Sequence, residues 1–485
     1  MCHIFSIPAK RHEPLFTFYF LLLTWSEATI HDMIRFVVEI PRWLFLAALV
    51  CAPWAYGCTP EWAIDYLEIL LGLILVLWLA GCALRRLRPA IHPVLLGCTL
   101  ILLVAGWWMT VNPHLRHTES FVFVPLSPMF PRLPGTVDAA TSLRAMLRIT
   151  CLLGIVCFVC DLSARRLWRR RLWYTIGATG VSIVLFGLLQ SASDRPLLIW
   201  NREDMSIPYF ATYYYHGNAG AFINLVLPFV AGLAALTLRR PDSHRERAIW
   251  LPGFFICVAG AFVNLSRSAM VITILLCALL LLWQFRGKSR NELLPPRRLR
   301  VAYALLMTGA VLGLVAFSNW ERPAQKWALL ESQLNTANKR LVSTQVCLRM
   351  LPDARWHGFG PGTFSIVFPH YTGAQADLIP GIWRYAHDDY LQTVLEWGWL
   401  GAIFWAVLFF GGMSRLFIQW RRRHDLSTND RVLAFTAGLS LVGVAAHALV
   451  DFPLQIASLQ LYAAVCVALG WSCHQWEGTA THSQT

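Results

Sequence analysis

Tyr385-Ala386-His387-Asp388-Asp389-Tyr390-Leu391 leads through Glu396-Trp397-Gly398-Trp399-Leu400-Gly401 into the stretch 398–418, where the first charged residue is Arg415. A polar, titratable segment gives way there to an apolar run of the length at which a helix crosses a bilayer, about 20 residues. A histidine, two carboxylates and two tyrosines thus sit where a hydrophobic helix re-enters the membrane. The same boundary recurs along the chain. Of the 485 residues, 56% are hydrophobic and 14% charged, whereas a soluble domain carries about a quarter charged residues. The expected fold class is an all-α polytopic membrane protein, with about 12 transmembrane helices and a long extracytoplasmic loop before the tenth.

The expected spans are 36–57, 66–84, 91–110, 143–160, 173–190, 217–238, 249–264, 268–285, 301–319, 398–418, 432–450 and 456–473. They divide the chain into a cytoplasmic N-terminal extension (1–35), helices one to nine (36–318), an extracytoplasmic loop (319–397), helices ten to twelve (398–473) and a cytoplasmic tail (474–485). The apolar run 15–25 behind Lys10 and Arg11 is too short to span, and no small-residue cleavage site follows it. Met33 offers a more natural amino terminus, so residues 1–32 are expected to play no part in the fold.

Basic residues set the orientation. Arg85, Arg86 and Arg88, then Arg165, Arg166 and Arg169 to Arg171, then Arg239, Arg240, Arg245 and Arg247 follow even-numbered spans. So do Arg286, Lys288, Arg290, Arg297, Arg298 and Arg300, and later Arg415, Arg421 to Arg423 and Arg431. The intervening short loops hold few basic residues. Because Lys and Arg near span ends are retained in the cytoplasm, both termini are expected there, with 111–142, 191–216 and 319–397 outside.

The net charge of +14 therefore reads as topology, and no nucleic-acid partner is expected. Most of the thirteen cysteines lie in or beside apolar spans, which fits small buried apolar residues better than a disulfide framework or a metal site. No acidic residue sits in the middle of a span, which counts against an ion-coupled transporter.

The long loop carries the chemistry. A helix is expected from Arg322 to Leu351, started by Pro323 and ended by Pro352, with an apolar stripe at Trp327, Leu330, Leu334, Ala337, Leu341 and Leu348. Arg340 borders that stripe; Arg349, nine residues on, is about half a revolution away. His357-Gly358-Phe359-Gly360-Pro361-Gly362-Thr363-Phe364 is a glycine-rich turn, either a plain tight turn or a backbone cradle for phosphate. Asp388 and Asp389 suit the N-cap of the tenth span, and paired carboxylates also suit a metal. His447 and Asp451, four apart at the outer end of the eleventh span, share a helix face, and Tyr213 to Asn218, with His216, opens the sixth span on the same side.

In their order, Leu265-Ser266-Arg267-Ser268-Ala269 opening a span, Arg340 opening an amphipathic run to Leu351-Pro352-Asp353, the 357–364 turn and the His387 segment resemble the O-antigen ligase and O-antigen polymerase (Wzy-C) superfamily of bacterial inner-membrane enzymes, over roughly 210–472. In that family a histidine followed by Asn, Ser or Gln leads after nine residues into a GxxG pair. Here His387-Asp388 leads after nine residues to Gly398 and Gly401, so the spacing holds while Asp388 departs from the pattern. The resemblance implies transfer of a glycan from an undecaprenyl-diphosphate carrier to an acceptor hydroxyl, of a glycan or of lipid A core, at the outer face of the inner membrane, beside membrane lipids and polysaccharide-assembly proteins. The chemistry agrees with it. Guanidinium groups offer planar paired hydrogen bonds to a diphosphate leaving group, which assigns Arg267 and Arg340 to the phosphates. His387 suits proton acceptance from the hydroxyl. Asp388, Asp389, His447, Asp451, His216 and Arg349 are candidates for lining the substrate. No cofactor or metal is required on this reading, because the arginines supply the positive charge. Bland roles stay open: snorkelling for Arg267, a solvated helix face for Arg340, an interfacial hydrogen bond for His387. Ligase, polymerase and protein O-glycosylation share this chemistry, although the short tail after His474 disfavours the last. The alternative from another class is a lipid-linked glycan transporter or flippase.

Overall fold

The computed structural model describes residues 27–118, 120, 122–193, 209–240, 242–286, 339–379, 381–422 and 426–479. Among them lie twelve substantial helices: α1 (Glu27–Trp54), α2 (Glu61–Arg85), α3 (Pro93–Val111), α4 (Ala139–Ser163), α5 (Arg166–Ala192), α6 (His216–Thr237), α7 (His244–Val263), α8 (Arg267–Arg286), α9 (Lys339–Ala354), α10 (Asp389–Arg421), α11 (Thr428–Ala448) and α12 (Ala457–Ser472). Nine helices of the described residues are long and apolar enough to cross a membrane, with α8 a shorter apolar helix beside them. An all-α polytopic membrane protein is the result. The expected ninth span, 301–319, lies outside the described residues, as do residues 1–26 and the first part of the expected 322–351 helix. Met33, read as a natural start, falls inside α1.

The helices are apolar nearly all round, the pattern of elements that meet protein on one side and lipid on the other. α6 sits at the centre and is buried from Gly217 to Thr237, packed by α5, α7, α8 and α11. Its small residues permit that. A Cβ on Gly220 would come 2.4 Å from Ala269 Cβ on α8. Asn224 crosses the same interface, donating to Ala269 O (3.2 Å) and accepting from Thr273 Oγ1 (2.6 Å), so its buried amide is hydrogen-bonded.

α10 begins at Asp389 rather than at the expected 398, and it breaks at Gly398, whose φ of 65° and ψ of 179° are not helical. The break is a backbone junction with the loop. Gly398 lies where a Cβ would be 2.1 Å from Trp356 O, and a Cβ on Gly358 would be 2.4 Å from Glu396 C and O. Phe359 N donates to Leu395 O (2.8 Å), Gly360 N to Glu396 O (3.0 Å) and Leu400 N to Trp356 O (3.3 Å). Glycine at both positions is thus demanded by close approach and by positive φ.

α9 corrects the expected stripe. Leu341 and Leu348 are exposed, while Val342, Val346, Cys347 and Met350 are buried with Phe364, Phe368 and Leu395 in a small core of their own. Pro352 lies inside the last turn of α9 and does not end it. β1 (Leu115–His117) and β2 (Phe123–Pro125) pair antiparallel.

Candidate active site

The site forms where chain segments far apart in sequence meet just beyond the C-terminal end of α11. Asp451 is its hub and is 2% exposed. Its Oδ1 is 3.0 Å from His387 Nδ1 and accepts from Phe452 N (3.2 Å), while its Oδ2 accepts from Tyr215 OH (3.2 Å). Arg340 Nη2 donates to Tyr215 OH (2.8 Å) and lies 3.7 Å from Asp451 Oδ2, and Arg340 Nη1 donates to Val450 O (2.9 Å). One carboxylate therefore joins the histidine to the arginine, with a tyrosine hydroxyl as bridge. Gly217, in the first turn of α6, makes the approach feasible: a Cβ there would be 2.6 Å from Asp451 Oδ2.

The electrostatics assign the protons. Burial pushes the Asp451 carboxyl up, but the His387 hydrogen bond and the positive charge of Arg340 outweigh it and leave the group below its ordinary value. An ionised carboxylate can accept but not donate, so the proton between the two residues belongs to His387 Nδ1. In the neutral imidazole that tautomer turns the lone pair of Nε2 away from Asp451, ready to receive a proton. Tyr215 is held as a hydroxyl, its ionisation pushed up by burial and by the Asp451 charge.

His387 is held in a left-handed conformation, φ +57°, which costs a non-glycine residue backbone strain. Trp383 and Phe452 flank its ring, with centroids at 5.3 and 4.7 Å. Leu265, two residues before Arg267, has the same φ. Arg267 opens α8, half-buried, beside Ser268, whose Oγ is 3.1 Å from His447 Nε2. His447 is fully buried and its carbonyl accepts from Asp451 N (3.0 Å), which ties the start of α8 to the hub. The His216 ring lies tilted beside that of Tyr215 (centroids 5.0 Å), and its carbonyl accepts from Asn264 Nδ2 (2.8 Å).

Arg340, His387, Asp451, His447 and His216 are thus brought together, with Arg267 on the adjoining helix start. Arg349 is not: it is exposed and its Nη2 donates to Gln375 Oε1. Asp388 is the N-cap of α10, its Oδ1 accepting from Tyr390 N (2.9 Å) and Leu391 N (3.0 Å). Asp389, 2% exposed, accepts from Leu454 N (2.8 Å) and Gln455 Nε2 (2.9 Å), which staples the 453–455 turn to α10. Both carboxylates already serve these structural bonds.

The glycine-rich turn holds an anion of its own. Gly362 N donates to Glu396 Oε2 (2.9 Å) and Phe364 N to Glu396 Oε1 (3.4 Å), while Gln392 Nε2 donates to Oε1 (3.0 Å). A carboxylate of the chain occupies the nest that the sequence offered to phosphate, so the tight-turn reading prevails. Two participants escaped the sequence reading. Tyr215 was one tyrosine of three, and Glu396 was quoted in its segment without a role; the signal for the second was an acidic residue facing a run of turn N–H groups.

Residues 252–406 match the family model described as O-antigen ligase, Wzy_C. The match covers Arg267, Arg340 and His387, whereas Tyr215, His447 and Asp451 lie outside it. No curated protein matches the chain. The domain supports an O-antigen ligase- or polymerase-type function in general.

Proposed function

We propose that the protein transfers a glycan from an undecaprenyl-diphosphate carrier to an acceptor hydroxyl at the extracytoplasmic face of the bacterial inner membrane, with both termini in the cytoplasm. The acceptor oxygen attacks the anomeric carbon as the bond from that carbon to the diphosphate oxygen breaks. His387 Nε2 takes the hydroxyl proton, and the bonding pair leaves with the diphosphate. Attack opposite the leaving group inverts the anomeric centre. Arg340 and Arg267 meet the growing negative charge with fixed donors, in place of the cation that other phosphate-handling sites employ. Asp451 orients His387, selects its tautomer and stabilises the imidazolium that forms, the role a buried aspartate has beside a catalytic histidine.

The observation that carries this reading is the single Asp451 carboxylate between His387 Nδ1 and the Arg340–Tyr215 pair. It couples a base to a phosphate-binding cation within one cluster. The test is transfer by the purified protein in lipid vesicles, from a synthetic polyprenyl-diphosphate glycan to a hydroxyl acceptor. His387→Ala should lower turnover by about 10² to 10⁴ while carrier-lipid binding persists. Turnover within a few-fold of wild type would remove His387 from the chemistry.

A further inference from the structure

The far end of the bundle from the His387–Asp451 cluster holds a cavity of about 380 Å³, between the first turns of α5, α7 and α11 and the last turns of α6. Its inner wall is apolar, made by Trp173, Leu233 and Leu433, and Arg166, Arg170 and Arg240 stand at its rim. With Arg169 in its floor, four guanidinium groups face two carboxylates, Asp430 and Glu246. Asp430 is committed to Arg169 at 3.0 Å. Glu246 lies 3.8 Å from Arg170 and 3.7 Å from Arg240, beyond hydrogen-bond range, and its Oε1 accepts from Tyr174 OH (3.1 Å). Arg170 and Arg240 keep 58% and 45% of their side chains exposed. Arg169 is 1% exposed, and its Nη2 is buried without a hydrogen-bond partner among the described residues.

This end therefore carries excess positive charge beside a greasy wall. Three helix N-termini converge there, and each favours an anion. A soluble phosphate would satisfy the arginines and leave Trp173, Leu233 and Leu433 uncovered. A zwitterionic lipid would bring its own cation to the arginine rim. An acidic phospholipid satisfies both surfaces, with a net negative headgroup and the first methylenes of an acyl chain beneath it.

We propose that this cavity binds the phosphodiester headgroup of an anionic glycerophospholipid from the adjoining leaflet, with the phosphate between Arg170 and Arg240 and the lipid backbone on the Trp173–Leu233–Leu433 wall. The site is separate from the proposed transfer chemistry and stands whether or not that reading holds.

The test is thermal unfolding of the full-length protein in a neutral detergent, titrated with phosphatidylglycerol, phosphatidylcholine or sn-glycerol 3-phosphate. Phosphatidylglycerol should raise the unfolding temperature saturably, and the other two should not. Arg170→Gln and Arg240→Gln should each raise the half-saturating concentration about fivefold, whereas Arg85→Gln, in another basic loop, should leave it unchanged. Glu246→Gln removes the competing carboxylate and should lower it, which keeps the test decisive if an arginine variant fails to fold. An unchanged half-saturation in both arginine variants, or in Glu246→Gln, overturns the proposal. A response to glycerol phosphate equal to that of the lipid also overturns it, because the site would then take a soluble phosphate.

Discussion

One aspartate lies in the first turn of α11 and another just beyond its last, and each meets an arginine, yet the two pairs are in opposite condition. At the first end Arg169 Nε lies 3.0 Å from Asp430, Arg169 Nη1 donates to Ser163 O and Ala164 O (both 2.9 Å), and Trp476 covers the guanidinium at 4.8 Å. Its side chains are 1% and 8% exposed. At the other end Asp451 is equally buried, but Arg340 is 45% exposed and stands off at 3.7 Å, with Tyr215 between them. The first pair is buried, bonded to its own chain through Arg169 Nε and Nη1, and fixes α5 against α11. The second keeps its arginine half-exposed and is bound to a histidine on the other side. Charge and residue type are the same; burial of the arginine separates a brace from a candidate site.

The sharpest way to break that contrast is to remove one member of each pair. Arg169→Met leaves Asp430 buried without its partner, which costs about 3–5 kcal/mol. Turnover per folded molecule should be unchanged. Arg340→Ala should do the reverse, abolishing transfer while the protein remains folded in the membrane. Arg340→Lys should recover little, about tenfold or more below wild type, because Nη1 and Nη2 reach Val450 O and Tyr215 OH separately and an ammonium cannot span both. Vesicle assays normalised to folded protein, with chemical unfolding alongside, distinguish the cases. If Arg340→Ala proves as destabilising as Arg169→Met with turnover per folded molecule intact, both pairs are braces.

A pH series sharpens the same point. The Asp451 carboxyl lies below its ordinary value in the folded protein, so its ionised form contributes stability that is fully present above the unfolded value, about 4. That contribution is lost as pH falls through the depressed folded value. Wild type should therefore lose stability relative to Asp451→Asn as pH falls below about 4. A difference that changes only near neutrality would mean that the Asp451 proton is not where the His387 bond requires it.

Much of the Asp451 cluster was legible in the sequence because chemistry-bearing residues at span ends are few. His387, Arg340, His447 and Asp451 stand out against apolar surroundings, and alternating basic loops put them on one expected face. What joins them was not legible. Tyr215 reaches Asp451 across 236 positions of sequence, and nothing in a run of three tyrosines distinguishes the one that bridges. The leucines of the helix expected to end at Leu351 mark the wrong face: Leu341 and Leu348 are exposed, while Val342, Val346 and Met350 pack; apolar residues occur on both faces of α9, so tertiary contacts decide which face is buried. The glycine run was legible as a tight turn, but the carboxylate that its N–H groups bind, Glu396, lies 34 residues from Gly362.

That nest gives a smaller, structural effect. Glu396→Gln keeps the shape and replaces one carboxylate oxygen by an amide that donates. Gly362 N, Phe364 N and Gln392 Nε2 all need an acceptor there, so at least one buried donor loses its partner, at about 1–3 kcal/mol. Destabilisation with proportionate loss of activity is expected. An unaltered unfolding profile with lost turnover would instead place Glu396 among the reacting groups and shift the site toward the turn.

The smallest effect belongs to Asp388, and it decides between the two readings of the aspartate pair. As N-cap, Asp388 accepts from Tyr390 N and Leu391 N through a single oxygen. Asn caps as well as Asp, and burial already pushes the Asp388 carboxyl up, against the pull of those two N–H groups, so a neutral side chain is not a burden. Asp388→Asn should change stability by no more than about 0.5 kcal/mol, with transfer retained in the presence of EDTA. Asp389→Asn should cost more, about 1–3 kcal/mol, since both its oxygens accept, from Leu454 N and Gln455 Nε2. An enzyme silenced by EDTA, restored by Mg²⁺ or Mn²⁺ and inactivated by Asp388→Asn would reverse the assignment. The pair would then be metal ligands, and the positive charge at the leaving group would come from the ion rather than from Arg340 and Arg267.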